Sequence, residues 1–226
     1  MGYISNHNTI DEQKLFDKSI VQEVYKNVRH YCIELIEIGY NNYLLDAEKS
    51  ISIDETLITA GLYNHISIFL DEKDLPFSIV PEYVQYTNAI KKGKIHPRKA
   101  KKFDLFFTHF QSTPRVKFGV EAKLVAEHNT PTRSATTLNT DYVEDAGMGK
   151  FINKLYETEG FMLGYIINGN KENIVDVINK KINNTYSNKE QLIKDNQHYI
   201  STYFIEADKK ELVHIFLDFS ICFSDN

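Results

Sequence analysis

Two carboxylates and one ammonium group near the middle of the chain, those of Asp104, Glu121 and Lys123, are of the types that could hold a divalent cation and attract an anion to it. Glu121 and Lys123 are two residues apart in a segment of strand-like composition, so their side chains point to the same face. Carboxylate oxygens are the ligands that Mg²⁺ prefers, and an ammonium group binds anions. A metal ion and an ammonium group would therefore converge on one spot.

A predicted β-hairpin brings these residues together. The segments Lys102–Phe110 and Val116–Leu124 are rich in β-branched and aromatic residues, and the residues Gln111–Pro114 form a plausible loop between them. Pairing that is symmetric about this loop places Asp104 directly opposite Glu121. Side chains in such positions stand about 5 Å apart, and two carboxylates there repel each other unless a cation lies between them.

The tripeptide Glu121-Ala122-Lys123 has a second interpretation, because an exposed strand edge often carries such an alternation of charge. Two observations favour a metal site over an exposed strand edge. One is the acid predicted on the opposite strand, and the other is the apolar character of the alternate positions, which marks the other face as core: Phe118, Val120, Ala122 and Leu124.

A further acid comes from a predicted helix that begins near Ser52. The residues Ser52–Glu55 fit a capping box, and Glu55 has helical spacing to an apolar stripe of Ile58, Leu62, Ile66 and Phe69. A carboxylate that points inward from a first turn either caps its own helix or reaches a site. The sequence leaves both possibilities open for Glu55.

A run of seven basic residues without an acid leads directly into the Asp104 strand. It predicts either a contact with a phosphate backbone or an ordinary solvated loop. Its members are Lys91, Lys92, Lys94, Arg98, Lys99, Lys101 and Lys102, and the hairpin register places the last of these opposite Lys123. Lys150 and Lys154 on a later predicted helix either extend this patch or lie on a plain exposed face.

The rest of the chain is predicted to be one α/β domain of 226 residues with a mixed sheet covered by helices. A long N-terminal helix with an apolar stripe from Ile20 to Ile36 is predicted to break near Gly39. The other predicted elements are a strand at 77–87, a loop at 129–140, a helix at 143–158, a buried strand at 160–168, a helix at 170–183 and two strands, 199–205 and 212–223, around a turn at 207–210.

The composition excludes several other classes of protein. The net charge of −5 means that any surface for nucleic acid must be local, and two cysteines are too few for a disulfide framework. The eight histidines show no zinc-ligand spacing. The first residues do not predict a signal peptide, and the apolar stretch Phe161–Ile167 is too short to span a bilayer. We therefore expect a cytoplasmic protein with no membrane contact.

The predicted elements, together with the split Asp104 and Glu121-Ala122-Lys123 motif, resemble the PD-(D/E)xK nuclease superfamily, whose core is an αβββαβ arrangement. The resemblance covers residues 52–168, about half of the chain, and Phe103 stands where proline often precedes the aspartate. The residues from Asp145 to Tyr165 are similar to uncharacterised restriction-type members in bacterial defence loci. Residues 1–50 would be a helical extension, and residues 169–226 would add a helix and a C-terminal hairpin.

The resemblance implies a Mg²⁺-dependent endonuclease that cuts DNA, acts in a bacterial defence system and accepts Mn²⁺ as a substitute. Asp104, Glu121 and the backbone carbonyl of Ala122 would bind the metal, and Glu55 would bind a second metal or its water shell. Lys123 would orient the attacking water and stabilise its hydroxide form.

Two other functions remain open: a nuclease-fold subunit that binds nucleic acid or a partner protein without cutting, and an effector that cleaves RNA. The N-terminal helix and the last two strands lie outside the expected core. We expect them to mediate self-association or docking to a larger protein partner.

Overall fold

Two long helices at the start of the chain pack against each other: α1 (Thr9–Asp46) and α2 (Glu55–Lys73). The predicted break at Gly39 is wrong, because α1 continues through it. A Cβ atom at Gly39 would lie 2.3 Å from Cγ1 of Ile66 on α2, so the glycine allows the two helices to approach closely.

The computed structural model describes residues 9–46, 53–94, 96–113, 115–153, 155–156, 158–186, 190–205 and 208–223, with residues 9–18, 89 and 205 described by their backbone alone. Within these residues no helix is long and apolar enough to cross a membrane.

The two ends of the α1 apolar stripe differ in burial. The stripe is buried from Val28 onward, but Ile20 and Val24 are exposed, contrary to the sequence pattern. The prediction that this helix docks to a partner or to a second copy stays a prediction.

The N-terminus of α2 differs from the predicted capping box. Asp54 is the N-cap, and its Oδ1 accepts hydrogen bonds from the backbone N–H groups of Thr56 at 2.8 Å and Leu57 at 3.1 Å. Ser52, the predicted cap, lies outside the described residues. Because Asp54 caps the helix, the carboxylate of Glu55 at the first helical position is available for other contacts.

The described strands form one mixed sheet of seven strands in the order β1-β2-β3-β4-β7-β6-β5. β3 pairs in parallel with β4 and β4 in parallel with β7, whereas the other neighbouring pairs are antiparallel. The strands are β1 (Phe77–Val84), β2 (Lys102–His109), β3 (Lys117–Ala126), β4 (Gly160–Asn168), β5 (Ile193–Asp195), β6 (His198–Ile205) and β7 (Asp208–Asp218).

The sheet confirms most of the predicted strands and corrects their ends. The first strand ends at Val84, and a short helix α3 (Asn88–Lys91) follows it. β5 has no counterpart in the prediction. The last strand begins at Asp208 within the predicted turn and ends at Asp218, and the predicted strand residues Ser220–Cys222 form a 3₁₀ turn instead.

The crossover from β3 to β4 is the part that the sequence pattern described least well. The predicted loop contains a helix, α4 (Ala135–Val143), and most of the predicted helix at 143–158 is irregular except for the single turn α5 (Gly149–Ile152). The chain doubles back here, with the N–H of Met148 donating to the Tyr142 carbonyl at 2.9 Å. A Cβ atom at Gly147 would lie 2.1 Å from the same oxygen, so only glycine fits this reversal.

Helices cover both faces of the sheet. Buried residues of α1 and α2 pack with Leu124 and Phe161 in one apolar cluster. The buried face of α6 (Lys171–Thr185), which includes Ile178, packs with Phe103 and Met162 in a second cluster. The chain is therefore an α+β protein with a seven-stranded mixed sheet flanked by helices.

Candidate active site

The hairpin of β2 and β3 has the predicted register, but its backbone pairing stops just before the acidic residues. The paired positions run from Thr108 and Lys117 to Leu105 and Val120. The next position of β2 is Asp104, which has no described backbone pairing to β3. Beyond this point the edge of β3 that faces β2 is open to side chains.

Carboxylates occupy that open edge. The backbone N–H of Ala122 donates to Oδ2 of Asp104 at 2.7 Å, and the N–H of Leu124 donates to Oε2 of Glu55 at 3.3 Å. These two N–H groups are two residues apart and therefore point to the same side of β3. Asp104 and Glu55 thus replace the missing strand partner, and both are held at fixed places along β3. The sequence left open whether Glu55 caps its own helix or reaches the site. In the structure its carboxylate reaches the site.

The Lys123 ammonium group lies among these oxygens. Its Nζ donates to Oε1 of Glu55 at 2.7 Å and to the carbonyl of Ala122 at 2.6 Å, and lies 3.3 Å from Oε1 of Glu121. The Lys123 side chain is only 12% exposed. The four predicted catalytic residues and the predicted backbone ligand therefore meet in one place.

The Glu121 carboxylate is fully buried and has partners on both oxygens. Its Oε1 accepts from Nζ of Lys150 as well as lying near Lys123, and its Oε2 accepts from the hydroxyl of Tyr156 at 2.7 Å. The Tyr156 hydroxyl also contacts the carbonyl of Lys102 at the start of β2. Burial and the neighbouring Glu121 raise the pKa of Tyr156, so the hydroxyl keeps its proton.

The pKa values of Glu121 and Lys123 are both raised in the folded protein. Burial and the charge of Asp104 raise the pKa of Glu121 to about 7, although Lys123 and Lys150 oppose the shift. Burial by itself would lower the pKa of Lys123, but the carboxylates of Glu121, Glu55 and Asp104 outweigh burial and raise it. An isolated ion pair would lower the pKa of its acid. Three carboxylates face two ammonium groups here, so the site carries an excess of negative charge when all three acids are ionised, above about pH 7.

Two partners of Glu121 were not predicted as such. Lys150 was placed on a basic patch or an exposed helix face, but its side chain is 18% exposed and binds Glu121. Tyr156 carried no recognisable signal, because it lies in the irregular segment that follows α5, for which the sequence predicted a helix. Lys154, the other half of the predicted pair, lies outside the described residues.

The basic run lies on exposed segments and ends at Lys102, whose carbonyl contacts the Tyr156 hydroxyl. It passes through α3, the 3₁₀ turn Pro97–Lys99 and the start of β2, and its seven basic residues are exposed. Lys102 does not oppose Lys123 in a ladder as the register predicted. It pairs with Val84 of β1, and its Nζ lies 3.6 Å from Oε2 of Glu82.

The donor atoms fit a hard cation chemically, since they are three carboxylates and a backbone carbonyl. Among the described residues, however, no group of three or more His, Cys, Asp or Glu side chains is arranged to hold a metal ion. The ammonium groups of Lys123 and Lys150 bind the Ala122 carbonyl and Oε1 of Glu121. These oxygens are among the ligands that the sequence predicts for Mg²⁺.

No protein-family model matches the chain, and neither a curated protein nor a solved structure matches it. The geometry of the site therefore carries the functional argument.

Proposed function

We propose that the chain is a metal-dependent endonuclease of the PD-(D/E)xK type that hydrolyses phosphodiester bonds in DNA. The observation that carries this proposal is the convergence of Asp104, Glu121, Lys123 and Glu55 on the uncovered edge of β3. Apart from the short helical segments α3, Pro97–Lys99 and α5, the order is α2-β1-β2-β3-α4-β4. This order, with an antiparallel β1-β2-β3 unit and parallel β3 and β4, supports the αβββαβ core that the sequence motif implies.

Asp104, Glu121 and the carbonyl of Ala122 would hold Mg²⁺ or Mn²⁺, with Glu55 beside them, and the bound ion would polarise the scissile phosphate and stabilise developing charge. When Glu55, Asp104 and Glu121 are all ionised, the excess of one negative charge in the site favours such an ion electrostatically. Because burial and the charge of Asp104 raise the pKa of Glu121 to about 7, a cation beside this carboxylate would favour its ionised form.

The chain's own residues have distinct tasks in this proposal. Lys123 keeps its proton, and its ammonium group orients the attacking water and stabilises the hydroxide that forms. Asp104 and Glu55 are fixed by the N–H groups of Ala122 and Leu124, so they need little reorganisation during the reaction. Tyr156 holds one oxygen of Glu121 and fixes the orientation of that carboxylate.

The charged character of the buried site argues against a purely structural role. A buried carboxylate whose pKa is raised destabilises the folded protein whenever the group is ionised. A scaffold that only binds a partner gains nothing from that arrangement, whereas in a metal site the bound cation would offset the cost of ionising the buried carboxylate.

We place this activity in a bacterial defence system on the strength of the sequence resemblance alone.

A substrate panel tests the proposal. Supercoiled DNA, linear duplex DNA, single-stranded DNA and RNA would each be incubated with the protein in Mg²⁺, in Mn²⁺ and in EDTA. We expect nicking of the circular DNA with either metal and none in EDTA. Cleavage of RNA alone would replace DNA as the substrate, and the absence of cleavage of every substrate would favour the non-catalytic binding function.

The basic run is proposed to bind the phosphate backbone next to the site. Changing Arg98, Lys99 and Lys101 together to glutamate should weaken DNA binding and make its dependence on salt shallower, by about one unit of slope for each phosphate that the protein no longer neutralises. Fluorescence anisotropy over a range of NaCl concentrations in EDTA measures both quantities.

The matched control for this charge reversal changes three exposed lysines elsewhere, Lys180, Lys194 and Lys209, to glutamate. It alters the net charge equally but should have a much smaller effect on the salt slope. Equal effects of the two triple variants would contradict a local DNA surface.

A further inference from the structure

Lys150 contacts Glu121 from an element that belongs to neither hairpin strand. It lies on the single helical turn α5, directly after the reversal at Gly147, and its Nζ donates to Oε1 of Glu121. Its side chain is 18% exposed and lies next to the Tyr156 ring, with Nζ 5.9 Å from the ring centroid. An ordinary exposed lysine on a helix would not be held in this way.

The two lysines together neutralise the oxygens that a cation would use. Lys123 binds the carbonyl of Ala122 and lies 3.3 Å from Oε1 of Glu121, and Lys150 donates to that same oxygen of Glu121. Both ammonium groups would repel a divalent cation that binds Oε1 of Glu121. We therefore expect at least one of them to move away from this oxygen when a metal binds.

Lys150 is the ammonium group that can leave more easily. Lys123 has a second carboxylate partner in Glu55 and a carbonyl partner next to it, whereas the described ion pair of Lys150 is with Glu121 alone. Tyr156 holds the other oxygen of Glu121 and can keep the carboxylate oriented while Oε1 changes its partner.

We propose that Lys150 is an internal counter-ion of the active site, which neutralises Oε1 of Glu121 and is displaced from that oxygen when Mg²⁺ binds. This inference rests on the proposed function, since it assigns a regulation to the same site. The displaced ammonium group becomes available to an incoming phosphate, so metal loading and substrate binding are coupled. Lys150 is then a positioning residue that sets the metal affinity of Glu121.

Isothermal titration calorimetry with Mg²⁺ alone, in the absence of nucleic acid, tests this role. In mildly alkaline buffer, Lys150→Met should bind Mg²⁺ about tenfold more tightly than the wild type, because one competing positive charge has been removed. Lys150→Arg keeps the charge and should bind within about threefold of the wild type. The control Lys180→Met removes an exposed charge on α6 and should not change the affinity.

The outcomes separate this inference from the proposed function. Tighter binding by Lys150→Met, or binding by that variant alone, supports the counter-ion role. Equal or weaker binding than in the wild type would overturn it and leave the nuclease proposal standing. If the wild type and all variants fail to bind Mg²⁺ and Mn²⁺, both the counter-ion role and the metal-dependent nuclease function are contradicted. Circular dichroism verifies the fold of each variant, and Lys150→Gln repeats the test with a polar replacement.

Discussion

Replacing Lys123 by methionine is expected to reduce Mg²⁺-dependent DNA cleavage by about a hundred- to a thousandfold. Methionine keeps much of the unbranched side chain but removes the ammonium group, which contacts Glu55, Glu121 and the Ala122 carbonyl. The substitution should lower the rate of cleavage at saturating DNA, because the proposed role of Lys123 is to stabilise the hydroxide that attacks phosphorus.

Single-turnover cleavage of a short labelled duplex measures this rate directly. The fold should persist, because Glu121 keeps its contacts with Lys150 and Tyr156, and the Glu55 side chain is 32% exposed to water. Lys180→Met serves as the matched control, since it removes the same group from an exposed position on α6. A Lys123→Met rate within tenfold of the wild type would refute the assigned role.

Replacing Glu121 by glutamine should abolish cleavage and, at the same time, stabilise the metal-free protein at alkaline pH. Glutamine has the same shape and can still contact Tyr156, but it carries no charge. In the folded protein the pKa of Glu121 is about 7, against an ordinary value of 4.5. Holding the ionised group in the fold therefore costs about 3 kcal/mol above pH 7, and the substitution removes this cost.

The pH dependence of this effect has a defined sign. Because the pKa of Glu121 is raised on folding, the folded protein binds a proton that the unfolded chain releases between pH 4.5 and 7. The contribution of Glu121 is most favourable below pH 4.5 and is lost as the pH rises to 7. The glutamine variant should therefore match the wild type at low pH and exceed it by about 3 kcal/mol above pH 7.

A buried histidine has the opposite pH dependence, so the comparison must be made between the two proteins. His214 is fully buried between the Tyr142 and Ser201 hydroxyls, and burial lowers its pKa to about 3. Its contribution to stability is therefore lost as the pH falls below its ordinary pKa of 6.5. Both proteins contain His214, and its effect cancels in their difference.

Urea unfolding of both proteins in EDTA across this pH range measures the difference in the free energy of unfolding. Adding Mg²⁺ should then stabilise the wild type and not the variant, because the ion binds only the folded site with an intact carboxylate. A variant less stable than the wild type at alkaline pH would show that the charged contacts of Glu121 outweigh its burial.

The part of the site that lies on the hairpin could be predicted from the sequence. The symmetric loop correctly predicts the pairing of Leu105 with Val120, and the two-residue period places Glu121 and Lys123 together. Local patterns suffice here because register and side-chain alternation are local properties of strands. The end of the ladder was not predicted, because a symmetric loop would continue the pairing to Asp104 and Glu121, whereas the observed pairing ends at Leu105 and Val120.

Lys150 and Tyr156 contact Glu121, and local sequence patterns did not predict these contacts. They lie in the crossover between two parallel strands, whose path depends on the reversal at Gly147 and on packing between elements distant in sequence. The pattern predicted one continuous helix, and such a helix would have placed both residues differently. Their contact with Glu121 is a tertiary contact that no spacing rule predicts.

We propose that Asp104, Glu121 and Lys123 form a metal-dependent phosphodiesterase site. The most direct test is nicking of supercoiled DNA by the wild type and by Asp104→Asn, each in Mg²⁺ and in EDTA. Asparagine keeps the size of Asp104 and an oxygen that can accept from the Ala122 N–H, but it removes one charge. We predict nicking by the wild type in Mg²⁺ only and none by the variant. Equal nicking by both proteins in Mg²⁺, or nicking by the wild type in EDTA, would contradict the claim.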